Sequence, residues 1–318
     1  MKNLFGLLFH LLNNLKQTLY FIVGPTCIGK SSLAIRLAKK INGIIINADS
    51  MQVYSNLEII TARPSKNDHK KIIHELYGYV DGSERYNVAK WINDILKIIN
   101  INYEKNCPCI IVGGTGMYIT ALLNGLFDIP SIPEFYKKKS EALFNKKGVN
   151  NFFKIVEKFD PESLTNLSQN DTLRLRRVWE VYNFTGITFS QWKKKQNKNF
   201  LNKFNNQVYL FTPDRESIYN LVNSRFESMV KLGAIEEVEK LILLNLDLSL
   251  PIMRAHGVPE ISNYLSKKIS LEDCIQRGQQ VTRNYVKRQL SWWRSSKIDI
   301  HQNFQEFPNK IDENMIKI

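Results

Sequence analysis

Cysteine is scarce in this sequence, and its spacing argues against two classes of protein. The four cysteines are Cys27, Cys107, Cys109 and Cys274. They form no paired Cys-x-x-Cys sets, and no cysteine–histidine spacing is that of a zinc finger. A zinc module and a disulfide-stabilised secreted domain are therefore both disfavoured. We expect reduced thiols, no zinc and a cytoplasmic protein.

Long hydrophobic runs are also missing. The segment MKNLFGLLFHLLNN at the N-terminus is apolar but too short to span a bilayer. It resembles a weak signal peptide, yet no small-residue cleavage site follows it and a predicted strand begins a few residues later. We expect no membrane association, and an N-terminal extension that packs on the core or is an artefact of the start site.

Acidic residues are outnumbered by basic ones. The chain has 318 residues, with 44 Lys and Arg against 30 Asp and Glu, which gives a net charge of +14. Such a charge suggests an acidic partner such as nucleic acid. The alternative is a compositional bias, because Asn, Lys and Ile are abundant throughout. Composition alone leaves both interpretations open.

Apolar runs alternate with amphipathic segments in the first part of the chain. Buried strands are predicted at Leu19–Val23, in GIIINADS and in CIIVGGTG, and helices in SSLAIRLAKK and YNVAKWINDILKII. This alternation predicts an α/β fold, a parallel sheet flanked by helices as in the P-loop NTPases. Because ligands bind at the carboxyl ends of such strands, Gly24, Asp49 and Gly113 should converge.

The pattern changes near Pro130. From there to about Asn205 only helices are predicted, at Glu134–Lys147, Asn150–Phe159 and Asp171–Thr185, before NQVYLFTPD restores a strand. We predict a P-loop α/β core in residues 1–129, an all-helical insertion domain in 130–205, and completion of the core by one strand and C-terminal helices in 206–318.

The segment FIVGPTCIGKSS contains the pattern G-x-x-x-x-G-K-[ST], which cradles phosphates with backbone N–H groups, a lysine and a helix N-terminus. The residues predicted to bind a diphosphate or nucleotide are Gly24, Pro25, Thr26, Cys27, Ile28, Gly29, Lys30 and Ser31. ATP is the default ligand. However, the third strand ends in glycines where hydrolases carry a Mg²⁺-binding Asp, which weakens the ATPase and GTPase interpretations.

A carboxylate stands at the end of the second strand, in NADSMQVY. Asp49 could act as a general base towards an attacking nucleophile. Gln52, three residues later, could read an adenine edge in a bidentate manner. The alternatives are that Asp49 caps a turn or holds Mg²⁺, and the residues alone do not decide between them.

Two predicted helices carry basic residues at helical spacing. In NDTLRLRRVWEVY, with Asn170 or Asp171 as N-cap, Arg174 and Arg177 share a face. In VTRNYVKRQLSWWRSS, Arg283 and Lys287 share a face, and Ser270 with Asp273 forms a capping box for this helix. Such basic faces are suited to contacts with an RNA backbone, and the alternative is that they simply face solvent. For Trp292 and Trp293, packing in the core is the favoured interpretation.

Together these segments resemble the tRNA dimethylallyltransferases, the bacterial isopentenyl-tRNA transferase family. The matching pieces occur in the family's order from about Leu19 to Arg294, and are GPTCIGKS, NADSMQVY, TARPS, IVGGTGMY, RLRRVWEVYNFTG, RAHGVPE and TRNYVKRQLSWWR. The resemblance implies transfer of a dimethylallyl group from dimethylallyl diphosphate to N6 of adenosine 37, beside the anticodon of tRNAs that read codons starting with U. Diphosphate leaves, Mg²⁺ assists, and the target base is taken out of its stack.

The resemblance also implies roles for residues at matching positions. Asp49 becomes the base on the adenine amine, Lys30 the charge partner of the diphosphate, Ser31 the residue near Mg²⁺, and Arg225 a stabiliser of the leaving group. The tRNA anticodon stem-loop would contact Asp49, Ser50, Met51, Gln52, Thr115, Lys137, Leu173, Arg174, Leu175, Arg176 and Arg177, and the basic face adds Arg283 and Lys287. A monomer is expected.

The sequence departs from the family pattern in three places. Leu221 stands where the family commonly has Arg, Leu173 replaces a Gln, and Val258–Pro259 replace an aromatic and a basic residue. Three alternatives stay open: an adenylate isopentenyltransferase acting on free AMP or ADP, a P-loop small-molecule kinase, and a P-loop RNA-binding protein without catalysis.

Overall fold

The computed structural model describes residues 17–165, 167–195 and 200–317. The predicted N-terminal extension lies outside these residues. The chain divides into two compact units, one formed by the residues before 124 and after 199 and the other by 124–199. We call them the core unit and the helical unit, and describe each by itself. The predicted insertion, 130–205, overlaps the helical unit, but a strand of the core unit already begins at Asn205.

A parallel sheet forms the centre of the core unit, as predicted. Its strands within the described residues are β1 (Thr18–Val23), β2 (Ile44–Asn47), β3 (His74–Glu75), β4 (Cys109–Gly113), β5 (Asn205–Phe211) and β6 (Gln302–Phe304). They are ordered β3-β2-β4-β1-β5-β6, and every neighbouring pair is parallel. The central strand β1 is buried from Leu19 to Val23 because helices cover the sheet.

Helices α1 (Lys30–Ile41), α2 (Lys66–Lys71), α3 (Val88–Glu104) and α4 (Gly116–Asn124) follow the first strands. The C-terminal part adds α9 (Arg215–Lys231), α10 (Ala234–Leu243), α11 (Val258–Leu265) and α12 (Leu271–Ser295). The predicted capping box at the start of α12, Ser270 with Asp273, is confirmed. Trp293 is buried in the core, as expected. No helix of the described part of the chain is both long and apolar enough to cross a bilayer.

A short C-terminal segment, not predicted from the sequence, completes the sheet. Strand β6 pairs with β5, and the residues after it pack against α1. There the Arg36 guanidinium donates to the carbonyl oxygens of Pro308 and Ile311 at 3.1 and 2.8 Å, and its Nε lies 3.2 Å from the Glu313 carboxylate. These contacts hold the end of the chain beside the glycine-rich loop that precedes α1.

The helical unit contains α5 (Glu134–Glu157), α6 (Pro161–Leu164), α7 (Thr172–Thr185) and α8 (Phe189–Lys194). The predicted break between two helices is confirmed at Gly148, whose φ of 71° interrupts α5. Asp171 is the N-cap of α7, since its side chain accepts from the Arg174 N–H. Phe152, Val156 and Leu175 belong to a hydrophobic core that this unit forms for itself.

Candidate active site

Three loops meet at the carboxyl edge of the sheet, as predicted. Strand β4 lies between β1 and β2, with Val23 paired to Gly113 and Asn47 to Val112. The loops are packed so closely that a Cβ added at Gly113 would lie 2.2 Å from the Ala48 carbonyl oxygen. Glycine is therefore required for the loop after β4 to pass the Asp49 loop.

The Gly24–Ser31 loop has the backbone of an anion cradle. Gly24, Cys27 and Gly29 all have positive φ values, of 147°, 68° and 89°. Successive turns of this kind direct N–H groups inwards, and the loop runs directly into α1, whose N-terminus adds a positive partial charge. A Cβ at Gly24 would lie 2.3 Å from the Phe211 carbonyl oxygen, so the end of strand β5 packs directly against the loop.

Lys30 is held within this loop. Its ammonium donates to the Pro25 carbonyl oxygen at 2.6 Å. Burial lowers the pKa of Lys30 from 10.5 to about 8; the Asp49 carboxylate and the Cys27 thiol oppose that shift, and the Arg225 guanidinium adds to it. Lys30, Asp49 and Arg225 are thus close enough to influence one another, and a bound anion would stabilise the charged form of Lys30.

One carboxylate oxygen of Asp49 caps the turn that follows it, and the other is left for a ligand. Its Oδ1 accepts from the Met51 and Gln52 backbone N–H groups at 2.9 and 3.4 Å. Its Oδ2 has no hydrogen-bond partner among the described residues. Turn-capping and general-base chemistry, posed above as alternatives, are therefore compatible, because they use different oxygens of one carboxylate.

Two neighbouring side chains, of Asn47 and Thr115, fix this turn. Asn47 is fully buried; its Oδ1 accepts from the Asp49 N–H at 2.8 Å and its Nδ2 donates to the Asp49 and Leu76 carbonyl oxygens. The Thr115 hydroxyl accepts from the Ser50 N–H at 3.0 Å. Thr115 therefore supports the Asp49 loop, and its contact with tRNA stays a prediction.

Gln52 differs from the expectation. Its Nε2 donates to the carbonyl oxygens of Thr61 and Ala62 at 2.9 and 3.0 Å. Both amide hydrogens are used, so this conformation does not offer the donor that bidentate recognition of adenine requires. The side chain instead holds the loop that carries TARPS against the Asp49 turn.

One cavity of about 470 Å³ joins these elements. Thr26, Cys27, Asp49, Ser50 and Arg225 line its polar side, and the Arg225 guanidinium donates to the Cys27 sulfur at 3.3 Å. Its apolar side includes Met51, Ile60, Val222, Phe226, Met229, Pro251 and Ala255. The cavity therefore places an anion cradle, a carboxylate and an apolar wall around one space.

Sequence reasoning missed several side chains of the cavity. His256 and Tyr285 both line it, with ring centroids 4.7 Å apart. Burial lowers the pKa of His256, and the neighbouring Arg288 lowers it further, which favours the neutral imidazole. Both residues lie in segments quoted above, RAHGVPE and TRNYVKRQLSWWR, but histidine and tyrosine carry no spacing signal that marks them.

Arg283 and Lys287 do not line this cavity. Arg283 donates to the side-chain oxygens of Asn223 and Gln280, which ties α12 to α9, whereas Lys287 is exposed. Their predicted contacts with tRNA stay predictions.

The basic residues of the helical unit fall into two groups. Arg174 is exposed and pairs with Asp171 at 3.2 Å, and Lys137 pairs with Glu134 at 3.1 Å. Arg176 instead binds Ser140, the Lys137 carbonyl oxygen and Glu141, which fastens α7 to α5. Burial lowers the pKa of Arg177, against the attraction of Glu180.

The two leucines of this segment are also separated by the fold. Leu173 is 67% exposed, whereas Leu175 is fully buried in the core of the helical unit. Its side chain therefore packs against protein rather than reaching an RNA, contrary to the expectation carried by the segment as a whole. Alternation of buried and exposed positions along α7 explains the difference.

A family model described as IPP transferase matches residues 52–296. The chain belongs to this family. The tRNA dimethylallyltransferase of Ehrlichia canis is 41% identical over 276 residues, which cover 86% of this chain and 90% of that protein. The enzyme of the same name from Azorhizobium caulinodans is 38% identical over 280 residues, with 88% and 90% coverage. The resemblance inferred from the sequence is confirmed.

Solved structures of IPP transferases share the fold. A eukaryotic dimethylallyltransferase studied while acting on tRNA superposes with a TM-score of 0.78 at 28% identity, covering 92% of this chain and 75% of that one. The full-length tRNA isopentenylpyrophosphate transferase of Bacillus halodurans gives 0.66 at 28% identity, covering 95% and 93%. The matched range of the family model begins after Asp49, so it includes neither Asp49 nor the Gly24–Ser31 loop.

Proposed function

We propose that this IPP transferase transfers a dimethylallyl group from dimethylallyl diphosphate to N6 of adenosine 37 in tRNAs that read codons starting with U. N6-isopentenyladenosine and diphosphate are the products. The observation that carries the proposal is the single cavity in which the Gly24–Ser31 loop and Arg225 face an Asp49 carboxylate with one unengaged oxygen.

The cavity accounts for both halves of the donor. The backbone of the Gly24–Ser31 loop, Lys30 and Arg225 supply positive charge for the diphosphate, and this charge acts most strongly as the leaving group becomes more anionic. The apolar wall, including Val222, Phe226 and Met229, suits a branched hydrocarbon. Holding both ends fixes the reacting carbon between the loop and Asp49.

Asp49 completes the reaction on the acceptor side. The exocyclic amine of adenine is a weak nucleophile, since its lone pair is delocalised into the ring. Its attack on the donor carbon forms the C–N bond as the C–O bond to the diphosphate breaks, and the amine must lose a proton. The free Oδ2 of Asp49 is the acceptor that we assign to this proton.

Magnesium fits the polar end of this site. The hydroxyls of Thr26 and Ser31 and the Asp49 carboxylate are the hard oxygen donors that this ion prefers. In the described part of the chain, no group of three His, Cys, Asp or Glu side chains is arranged to hold a metal. We therefore assign Ser31 as the protein ligand and expect substrate phosphates and water to supply the remainder. The ion would offset the charge of the diphosphate.

The acceptor that we propose is the anticodon stem-loop of tRNA, bound by a monomer in the cytoplasm. The net charge of +14 supports a polyanionic partner. Basic side chains of the helical unit, such as the exposed Arg174 and the half-buried Lys137, are available for phosphate contacts. The relatives named tRNA dimethylallyltransferase support the same substrate class.

A labelling experiment tests the reaction. The protein is incubated with labelled dimethylallyl diphosphate and Mg²⁺, together with unmodified tRNA, the same tRNA carrying guanosine at position 37, or AMP. We expect label only on the unmodified tRNA. Label on AMP alone would establish an adenylate isopentenyltransferase, and transfer of the γ-phosphate of ATP to a small molecule would establish a kinase.

Lys30 should make donor binding depend on pH. In the free protein its pKa is about 8, below the ordinary 10.5, because it is buried. A bound diphosphate favours the ammonium, so binding takes up a proton above pH 8. Affinity should therefore be constant from pH 7 to 8 and then fall, by up to about tenfold per pH unit for one coupled proton. Calorimetric titration with dimethylallyl diphosphate measures this; affinity that stays flat to pH 10 would contradict it.

Removing an exposed charge from the helical unit should weaken tRNA binding without affecting the donor. Arg174→Ala should reduce the slope of log affinity against log salt by about 1, the value for one phosphate contact. Lys97→Ala on α3 is the matched control, since Lys97 is also exposed and pairs with an aspartate three residues before it. Filter binding of unmodified tRNA across a salt series measures both. Equal slopes for Arg174→Ala and the unaltered protein would remove Arg174 from the interface.

A further inference from the structure

Helix α12 contributes a buried glutamine to the centre of the site. Gln289 is 4% exposed, and its Oε1 accepts from the Thr26 backbone N–H at 2.9 Å while its Nε2 donates to the Gly114 carbonyl oxygen at 2.8 Å. One side-chain amide thus joins the loop after β1 to the loop after β4. Among the described residues of the core unit, Asn47 and Gln289 are the buried polar side chains, and both hold loops of the cavity.

Gln289 is also linked to the loop of Asp49. Thr115 follows Gly114 directly in the chain, and its N–H donates to the Ala48 carbonyl oxygen at 3.3 Å. The Thr115 hydroxyl accepts from the Ser50 N–H at 3.0 Å. These hydrogen bonds and the Gly114–Thr115 peptide therefore connect Thr26 in the anion cradle to the residues on both sides of Asp49.

The fit around Gln289 leaves little freedom. A Cβ added at Gly114 would lie 2.3 Å from the Gln289 Nε2 and 3.0 Å from the Gly24 carbonyl oxygen. A Cβ at Gly278, on the same helix, would lie 2.0 Å from the Phe226 ring of α9. Helix α12 is thus in close contact with both loops and with the helix that carries Arg225.

We infer that Gln289 is a positioning residue for prenyl transfer, which sets the separation between the diphosphate loop and the Asp49 loop. It contacts no reacting atom. It acts by holding the Thr26 and Gly114 main chains at a fixed distance. Through Thr115, the residue after Gly114, the same contacts fix Ser50. Because donor and acceptor are held by different loops, this separation determines how the donor carbon and the adenine amine are aligned. The inference rests on the proposed function.

Gln289→Met tests it, since methionine has a similar volume but makes neither hydrogen bond. A displacement on the order of 1 Å can lower a rate by ~10², so we expect kcat with tRNA to fall by ~10–100-fold, with KM for tRNA unchanged. The matched control is Gln279→Leu. Gln279 lies on the same helix and donates to Asn223 and Glu227 of α9, but it does not line the cavity.

The readouts separate positioning from stability. Thermal unfolding and active-site titration give the folded fraction, and a stabilising role alone would leave kcat per folded molecule unchanged, which would overturn the inference. The double variant Gln289→Met, Thr115→Val should lower kcat by less than the product of the two single-variant reductions, because both changes interrupt the same connection. A double variant whose reduction in kcat equals that product would also overturn the inference. If Gln289→Met is insoluble, Thr115→Val alone removes the hydroxyl that accepts from the Ser50 N–H, and an unchanged kcat there also overturns the inference. Absence of transfer by the unaltered protein would instead reject the proposed function.

Discussion

Replacing Asp49 by asparagine should lower kcat for prenyl transfer by about 10²–10⁴-fold, the usual contribution of a general base. Asparagine keeps an oxygen for the Met51 and Gln52 N–H groups, so the turn should survive. It loses the basic Oδ2, which we assign to the adenine proton. Single-turnover transfer of labelled dimethylallyl to tRNA gives the rate, and filter binding should show unchanged affinity for tRNA.

Asp81→Asn is the control for this change. Asp81 forms a similar turn, accepting from the Ser83 N–H at 2.9 Å, but does not line the cavity. It should leave kcat unaltered. If Asp49→Asn retained more than a tenth of the original rate, Asp49 would be a structural cap and another group would have to accept the proton.

Replacing Lys30 by methionine should lower the rate of prenyl transfer nearly as much, because Lys30 acts on the diphosphate of the donor. Loss of one preorganised charge that faces the leaving group costs about 10²–10³ in rate. We expect kcat/KM for dimethylallyl diphosphate to fall by that factor and the decline of donor affinity above pH 8 to disappear, since Lys30 is the titrating group. Steady-state kinetics with saturating tRNA and calorimetry across pH measure the two effects.

Lys39→Met provides the comparison, because Lys39 lies in the last turn of the same helix and is exposed. Its removal should leave kcat/KM unchanged within a factor of two. Lys30→Arg should recover part of the donor affinity, since the charge returns in a larger group. A Lys30→Met variant whose donor affinity still declined above pH 8 would assign the titration to a different residue.

Much of the fold could be predicted because each of the main strands contains a continuous run of buried apolar residues. Strands β1, β2, β4 and β5 each have four residues or more, and the turn residues at their ends mark where they stop. Strands β3 and β6 are only two and three residues long, so they carry no periodicity. Their pairing depends on contacts with distant parts of the chain, which local sequence does not encode.

The parts of the candidate site that could be predicted are those defined by glycine positions in a loop or by the end of a predicted strand. The Gly24–Ser31 loop and Asp49 were located for that reason. Gln52 and Arg176 were predicted to contact RNA because of their residue types, but the side chain of each donates hydrogen bonds to carbonyl oxygens of its own unit. Gln289 lay unnoticed between basic residues of α12, because nothing in a helical pattern distinguishes a buried glutamine that joins two loops from one in solvent.

The position of β1 in the sheet has a consequence for synthesis. Strand β1 pairs with β4 on one side and β5 on the other, and the whole helical unit separates β4 from β5 along the chain. On the ribosome, β1 and β4 emerge early, whereas β5 follows only after the helical unit has been made. Until then the nascent chain carries an open edge on what becomes its central strand, a surface prone to pairing with other chains. The helical unit, which buries its own hydrophobic core, can fold during this interval and shorten the loop that must close before β5 is added.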